Sequence, residues 1–155
     1  MQGHRQLAAL GTAWVIALGV GAAAQTPAAP LDPSPDTPRI SLDDFRRLHA
    51  AGQVLTVDVR DASTFARGHI PHAISVPLDQ IEAHAIDLEA RANHRPIVTY
   101  CSCPNDHASA QAAAALTARG VHDVRALAGG LPAWVAAGGS LLRGRLNKES
   151  SKGLF

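Results

Sequence analysis

Hydrophobic and polar positions along residues 38–139 form a pattern that predicts helices and strands in turn. Apolar residues at helical spacing follow Ser41, a good N-cap residue, until Gly52 ends the predicted helix. The β-branched run Val54–Val59 then predicts a buried strand. The same alternation continues, with helices predicted at 62–66, 78–92, 108–119 and 131–137 and strands at 73–77, 96–100 and 124–127. Strands that alternate with helices predict an α/β domain, in which helices cover both faces of a parallel sheet.

The chain before this domain has a different composition. His4 and Arg5 give a basic start, and a short apolar run, Leu7–Gly21, ends on the small residues Ala22–Ala24. The pattern is typical of a cleaved signal peptide, here residues 1–24, although an uncleaved anchor is the alternative. The run is short and rich in Gly and Ala for a membrane span. We therefore expect a periplasmic or secreted protein with no stable membrane insertion after cleavage.

Two further segments flank the predicted domain. Residues 25–37 are rich in Pro and Ala, which predicts an extended linker. Residues 140–155 are mostly polar, which predicts a solvated C-terminal tail. Neither segment is assigned a function.

Composition narrows the range of partners. Hydrophobic residues make up 46% of the chain and charged residues 17%, which is sufficient for a packed core. The net charge is +1 and there is no long run of Lys or Arg, so nucleic acid is not an expected partner. No pattern requires a cofactor or a metal, and the sequence leaves the oligomeric state open.

The two cysteines of the chain, Cys101 and Cys103, are separated by one residue. In an oxidising compartment, paired cysteines usually join distant segments, and the stabilisation grows with the length of the loop that they close. A pair this close in sequence closes almost no loop. Its placement therefore indicates reactivity or metal binding rather than a structural crosslink.

Two predicted strands end in polar, chemically active residues. Val59 is followed by Arg60 and Asp61, and Tyr100 is followed by Cys101. Ligands of parallel sheets bind outside the carboxyl ends of the strands. The loop Cys101–Ala108 also leads into an Ala-rich helix, whose first N–H groups favour an anion or a cysteine thiolate. The sequence therefore predicts a nucleophilic cysteine in a loop that can hold an anionic substrate.

Three stretches of the chain form a combined motif. They are Val57–Asp61 with Phe65, Gly68–Pro71, Ala73 and Val76–Pro77; then Ile97–Cys101; then Leu127–Gly130 with Ala133, Trp134 and Gly138. In this order they resemble the signatures of the rhodanese family. The resemblance implies one rhodanese-like domain with a five-stranded parallel sheet. It also implies a cysteine that accepts sulfane sulfur as a persulfide and passes it to a small sulfur compound, a protein thiol or another thiophilic acceptor.

The loop departs from the usual family pattern, in which a Gly and an Arg follow the cysteine. Here the loop is longer, contains Asp106 and resembles a Cys-Ser-Cys-Pro-Asn variant within the family. Guanidinium donors suit oxyanions, so the missing Arg predicts poor use of thiosulfate. Replacing Asp106 with Arg is accordingly expected to improve the use of thiosulfate.

Alignment of the strand with the family places Cys101 at the catalytic position and makes Cys103 the resolving thiol. Alignment of the following helix would place Cys103 there instead. We favour Cys101 because the strand end fixes the direction of its side chain, whereas loops absorb insertions. The expected substrate-binding residues are Arg60, Ser102, Asn105, Asp106, His107 and Ala108.

The remaining polar residues of the motifs have structural interpretations. Asp58 lies in an apolar strand and is expected either to satisfy a backbone turn or to pair with Arg60, since buried charges are paired. His69 and His72 flank a Pro turn that supports the fold in the family, and Trp134 is expected in the core.

The leading functional hypothesis is an exported single-domain sulfurtransferase. A second is a thiol–disulfide redox protein that uses Cys101 and Cys103 as an easily reduced pair. A third is a soft-metal site formed by both thiolates and His107, although three ligands are few for such a site. A fourth is a non-catalytic sulfur-carrier or recognition module. An oxyanion-processing activity such as phosphate release would again need the missing Arg.

Overall fold

Five parallel strands form one sheet in the computed structural model, which describes residues 36–144, and their order is β1-β5-β4-β2-β3. The strands are β1 (Arg39–Ile40), β2 (Leu55–Asp58), β3 (Ile74–Ser75), β4 (Ile97–Tyr100) and β5 (Val124–Leu127). The helices are α1 (Leu42–Ala50), α2 (Ala62–Arg67), α3 (Ala85–Ala92), α4 (His107–Ala118) and α5 (Gly130–Ala136). The predicted α/β domain with a five-stranded parallel sheet is confirmed.

Helices cover both faces of the sheet, because successive side chains of a strand point to opposite sides. In β4, Ile97 packs into one apolar cluster, and Val98 and Tyr100 pack into the other. The first cluster includes residues of α3 and α4, among them Leu88, Ala112 and Leu116. The second includes residues of α1, α2 and α5, among them Phe45, Phe65 and Trp134.

Two elements differ from the sequence prediction. The edge strand β1 has two residues, which is too short to leave a hydrophobic pattern. The predicted helix over 78–92 is a 3₁₀ turn at Leu78–Gln80 followed by α3. Backbone N–H groups of Val76 and Leu78 donate to carbonyls at the end of β2, at 3.0 Å each. These hydrogen bonds hold residues 76 and 78 beside β2, so the α-helix begins only further along the chain, at Ala85.

Residues 140–144, the first part of the expected tail, pack against the domain. The Trp134 indole donates to the Ser140 carbonyl at 2.9 Å, and Leu142 forms an antiparallel bridge with His69. Gly144 N–H donates to the Ala66 carbonyl at 3.0 Å. The predicted signal peptide, all but the last residues of the linker, and the tail beyond residue 144 lie outside the described residues. No helix within residues 36–144 is long and apolar enough to cross a membrane.

Candidate active site

The two strands that precede the polar residues of the predicted site, β2 and β4, are neighbours in the sheet. β2 and β4 are paired in parallel, with Asp58 opposite Tyr100. The residues that follow them therefore meet at one edge, where Arg60 Nη1 donates to Ser102 Oγ at 3.1 Å. Asp61, also in this group, caps α2 instead: its carboxylate accepts hydrogen bonds from Ser63 and Thr64. These bonds hold the pKa of the Asp61 carboxyl well below its usual value.

Arg60 is bound on nearly every side by the protein itself. Its Nε donates to both Asp58 carboxylate oxygens at 2.9 and 3.1 Å, and its Nη2 donates to Asp58 Oδ2 at 2.5 Å and to the Gly68 carbonyl at 2.8 Å. Burial opposes the charge on Arg60, but the hydrogen bonds and the negative charge of Asp58 outweigh it and raise the pKa of the guanidinium. The expected pairing with Asp58 is confirmed. Arg60 contacts the cysteine loop through its hydrogen bond to Ser102 Oγ.

Tyr100 links this ion pair to the core. Its hydroxyl accepts a hydrogen bond from Ile70 N–H at 3.1 Å, and the guanidinium carbon of Arg60 lies 5.6 Å from its ring centroid. Burial and the neighbouring Asp58 carboxylate raise the pKa of Tyr100 far above its ordinary value, so the phenol stays neutral. The role of Tyr100 is therefore to anchor the chain around Ile70.

Side chains along β4 point alternately to the two faces of the sheet, and this alternation places Cys101 on the face that α4 covers. Thr99, two residues earlier on the same face, donates to the Ser109 carbonyl in α4 at 2.8 Å. Cys101 is 2% exposed, and its Sγ lies 3.8 Å from Ser109 Oγ and is joined to the Cys103 Sγ in a disulfide. The Ala108 N–H, in the first turn of α4, donates to the Cys103 Sγ at 3.5 Å. The helix N-terminus thus faces the sulfur pair, as the sequence predicts, through Cys103.

The rest of the loop turns back on itself through two left-handed residues. Asn105 and Asp106 have φ of 64° and 57°, a conformation that short polar side chains tolerate better than most. The turn directs Asp106 inward, where its Oδ2 accepts a hydrogen bond from Gly129 N–H at 2.9 Å. A side chain at Gly130 would lie 2.5 Å from the Cys101 carbonyl oxygen, so the glycine pair packs directly against the cysteine loop.

The structure separates the expected substrate-binding residues into two groups. Ser102, Asn105 and His107 are exposed around the loop, and Ala108 supplies a backbone N–H to sulfur. Asp106 is 7% exposed and is held by Gly129, so its carboxylate is part of the loop's internal packing. The expectation that Arg at this position improves thiosulfate use stays a prediction, and the substitution would also remove the hydrogen bond from Gly129.

Ser109 and the glycine pair were not identified as site residues from the sequence. Ser109 is fully buried, and its hydroxyl donates to the Asp106 carbonyl at 2.9 Å beside the Cys101 sulfur. The sequence does contain a signal for Gly129 and Gly130, because two glycines after a strand allow another segment of the chain to approach their backbone closely. By contrast, His69 and Trp134 are buried and bonded within the fold, as expected.

The soft-metal hypothesis gains no support from this geometry. The two sulfurs are bonded to each other, and within residues 36–144 no three His, Cys, Asp or Glu side chains are grouped to hold a metal ion.

Comparisons with known proteins agree with these observations. The family model described as "Rhodanese-like domain" matches residues 41–137. The chain is 38% identical over 100 residues to the thiosulfate sulfurtransferase GlpE of Pseudomonas savastanoi pv. phaseolicola, covering 63% of this chain and 87% of the relative. Among solved structures, it is similar to the BH2092 protein of Bacillus halodurans, with 27% identity and a TM-score of 0.61 over 74% of this chain and 89% of that one. It is also similar to the human single-domain sulfurtransferase TSTD1, with 25% identity and a TM-score of 0.54 over 64% and 96%. The chain belongs to the rhodanese-like domain family.

Proposed function

We propose that this chain is an exported sulfurtransferase that carries sulfane sulfur as a persulfide on Cys101. The observation that carries the proposal is the position of Cys101 at the end of β4, where its side chain faces α4 and the Cys103 sulfur. The family and the names of the GlpE relatives confirm the general prediction of a rhodanese-like sulfurtransferase. The persulfide, the acceptor and export are the proposed part, and export is based on the sequence of residues 1–24.

The proposed transfer has two steps. The Cys101 thiolate attacks the sulfane sulfur of the donor, a new S–S bond forms, and the donor's bond to that sulfur breaks with its electron pair left on the departing group. An acceptor thiolate then attacks the terminal sulfur of the Cys101 persulfide and returns the Cys101 thiolate. Ser109 Oγ lies 3.8 Å from the Cys101 sulfur and donates its hydrogen to the Asp106 carbonyl, so it packs the loop against the reacting sulfur.

Cys103 offers a second way to release the sulfur. Its thiolate attacks the Cys101 Sγ, the bond to the terminal sulfur breaks, and hydrosulfide leaves while the Cys101–Cys103 disulfide forms. The Ala108 N–H, bonded to the Cys103 sulfur, favours the thiolate of Cys103. An external thiol then restores the dithiol by reducing the disulfide and is itself oxidised to a disulfide. It attacks Cys103 first, because Cys103 is the more exposed of the two.

The proposal is tested with the reduced protein, an organic sulfane donor and glutathione as acceptor. Formation of glutathione persulfide and hydrogen sulfide should depend on the protein and cease when its thiols are first alkylated with iodoacetamide. Transfer at the same rate by the alkylated protein would contradict a cysteine persulfide. Protein treated with iodoacetamide while the disulfide is intact, then reduced, is the control for side reactions of the reagent.

The disulfide in the site favours one other function, thiol–disulfide exchange with a protein partner. The two functions differ in their need for Cys103. Exchange through an internal disulfide requires both thiols, whereas loading of sulfur onto Cys101 requires only one. A Cys103→Ser variant that still loads sulfur favours sulfur transfer, and rapid reduction of protein disulfides by the wild-type dithiol favours the redox function.

A further inference from the structure

Asp106 places a carboxylate inside the cysteine loop without a charged partner among the described residues. The residue is 7% exposed, and within residues 36–144 its side chain accepts one hydrogen bond, from Gly129 N–H to Oδ2 at 2.9 Å. Oδ1 is shielded from solvent and has no hydrogen-bond partner within residues 36–144. Buried polar atoms without a hydrogen-bond partner are rare and costly, so the presence of one in a reactive loop calls for a functional explanation.

Asp106 is connected to Cys101 through its backbone and lies near the Cys101 backbone through its carboxylate. The Asp106 backbone carbonyl accepts the Ser109 hydroxyl, and that hydroxyl is 3.8 Å from the Cys101 Sγ. A Cβ placed on Gly130 would lie 2.5 Å from the Cys101 carbonyl oxygen and 3.5 Å from Asp106 Oδ1. The carboxylate and the Cys101 backbone therefore flank the same small space.

No neighbouring cation of the described residues neutralises Asp106. Arg60 reaches the loop at Ser102, but its guanidinium already faces the Asp58 carboxylate in the buried ion pair. His107 follows Asp106 and is exposed. The loop thus combines a carboxylate that has no cationic partner within residues 36–144 with backbone donors, and residues 101–108 contain no Arg, whose guanidinium suits oxyanions.

We propose that Asp106 selects the sulfur donor by charge, so that the site accepts organic sulfane donors with at most one negative charge and disfavours the dianion thiosulfate. A charge shielded from solvent acts more strongly than an exposed one, and it repels a dianion twice as strongly as a monoanion. This inference rests on the proposed sulfur transfer to Cys101 and names the class of its donor.

Two donors with closely related chemistry separate charge from reactivity. In methanethiosulfonate, a monoanion, the Cys101 thiolate attacks the terminal sulfur, and methanesulfinate leaves with the electron pair of the broken S–S bond. In thiosulfate the same attack releases sulfite. Each reaction leaves one sulfur atom on Cys101 as a persulfide, and the donors differ by one unit of charge.

The test compares kcat/KM for both donors in the reduced wild type and in Asp106→Asn. The amide of Asn keeps a carbonyl oxygen for Gly129 N–H and tolerates the left-handed backbone, so the variant removes only the charge. Asp123→Asn is the matched control, because Asp123 is also left-handed, with φ of 47°, but is exposed and precedes the amino end of β5, whereas the site lies at the carboxyl ends of the strands. The ratio of thiosulfate to methanethiosulfonate use should rise about tenfold in Asp106→Asn, equivalent to about 1.4 kcal/mol, and stay unchanged in Asp123→Asn.

A second measurement needs no variant. The rate of wild-type loading from each donor is divided by the rate with a free thiol, cysteine methyl ester, to remove differences in intrinsic reactivity. The loading rate normalised in this way should be about tenfold or more higher with methanethiosulfonate than with thiosulfate. An equal preference, or an unchanged ratio in a folded Asp106→Asn protein, would overturn the inference alone. Loading from neither donor would overturn the proposed function and this inference with it.

Discussion

Replacement of Arg60 with Met leaves the Asp58 carboxylate buried without its counter-charge. The Asp58 side chain is 0% exposed and that of Arg60 is 10% exposed, so solvent cannot compensate for the loss. Removing one partner of a buried ion pair typically costs about 3–5 kcal/mol. The same change also removes the hydrogen bonds from Arg60 to the Gly68 carbonyl and to Ser102 Oγ. We expect a loss of about 3–5 kcal/mol in the free energy of unfolding.

The assay is urea unfolding of Arg60→Met, Asp58→Asn and the double variant. In the wild type, the backbone N–H of Arg60 donates to Asp58 Oδ1 at 3.0 Å, and Asn at position 58 keeps an oxygen that accepts this bond. The double variant should be more stable than Arg60→Met, with a coupling energy of about 2 kcal/mol. Arg91→Met is the control, because Arg91 and its partner Asp87 are 32% and 43% exposed. A loss in Arg60→Met no larger than in Arg91→Met would refute the reasoning.

Three further outcomes are expected. Gly130→Ala should lose about 1–3 kcal/mol more stability in thermal unfolding than Gly52→Ala, because both have positive φ but only Gly130 would clash, with the Cys101 carbonyl; equal losses would contradict this close packing. N-terminal sequencing after expression in an exporting host should find a mature protein that begins at Gln25 or within about two residues of it, and a retained initiator Met would contradict cleavage. In a redox titration, sulfur-transfer activity should appear together with the free thiols of Cys101 and Cys103; activity that persists in the disulfide form would place the reactive sulfur elsewhere.

Much of the fold could be predicted because buried parallel strands leave continuous runs of β-branched residues. Strands β2 and β4 were located in this way, and their runs also led to the two polar strand ends that meet at the site. β1 was missed because its position depends on pairing with β5, more than eighty residues away in the chain. The late start of α3 was missed because it depends on hydrogen bonds from Val76 and Leu78 to the carbonyls of Asp58 and Val59.

The site could be predicted only in part for a similar reason. The direction of Cys101 follows from the period of β4, and the N–H at Ala108 follows from the start of α4, so both were accessible from sequence. The inward turn of Asp106 was not accessible. It depends on the left-handed backbone at two successive residues and on a hydrogen bond to Gly129, 23 residues away. Charge in a loop is readable from sequence, but the side of the loop on which it lies is set by tertiary contacts.

Intact mass of the reduced full chain before and after methanethiosulfonate tests the central claim most directly. The wild type, Cys101→Ser and Cys103→Ser are compared under the same conditions. The account predicts that Cys103→Ser gains one sulfur atom and releases it slowly, whereas Cys101→Ser gains none. Sulfur on Cys103 in the Cys101→Ser protein, together with an unreactive Cys103→Ser protein, would contradict the account and assign the nucleophile to Cys103.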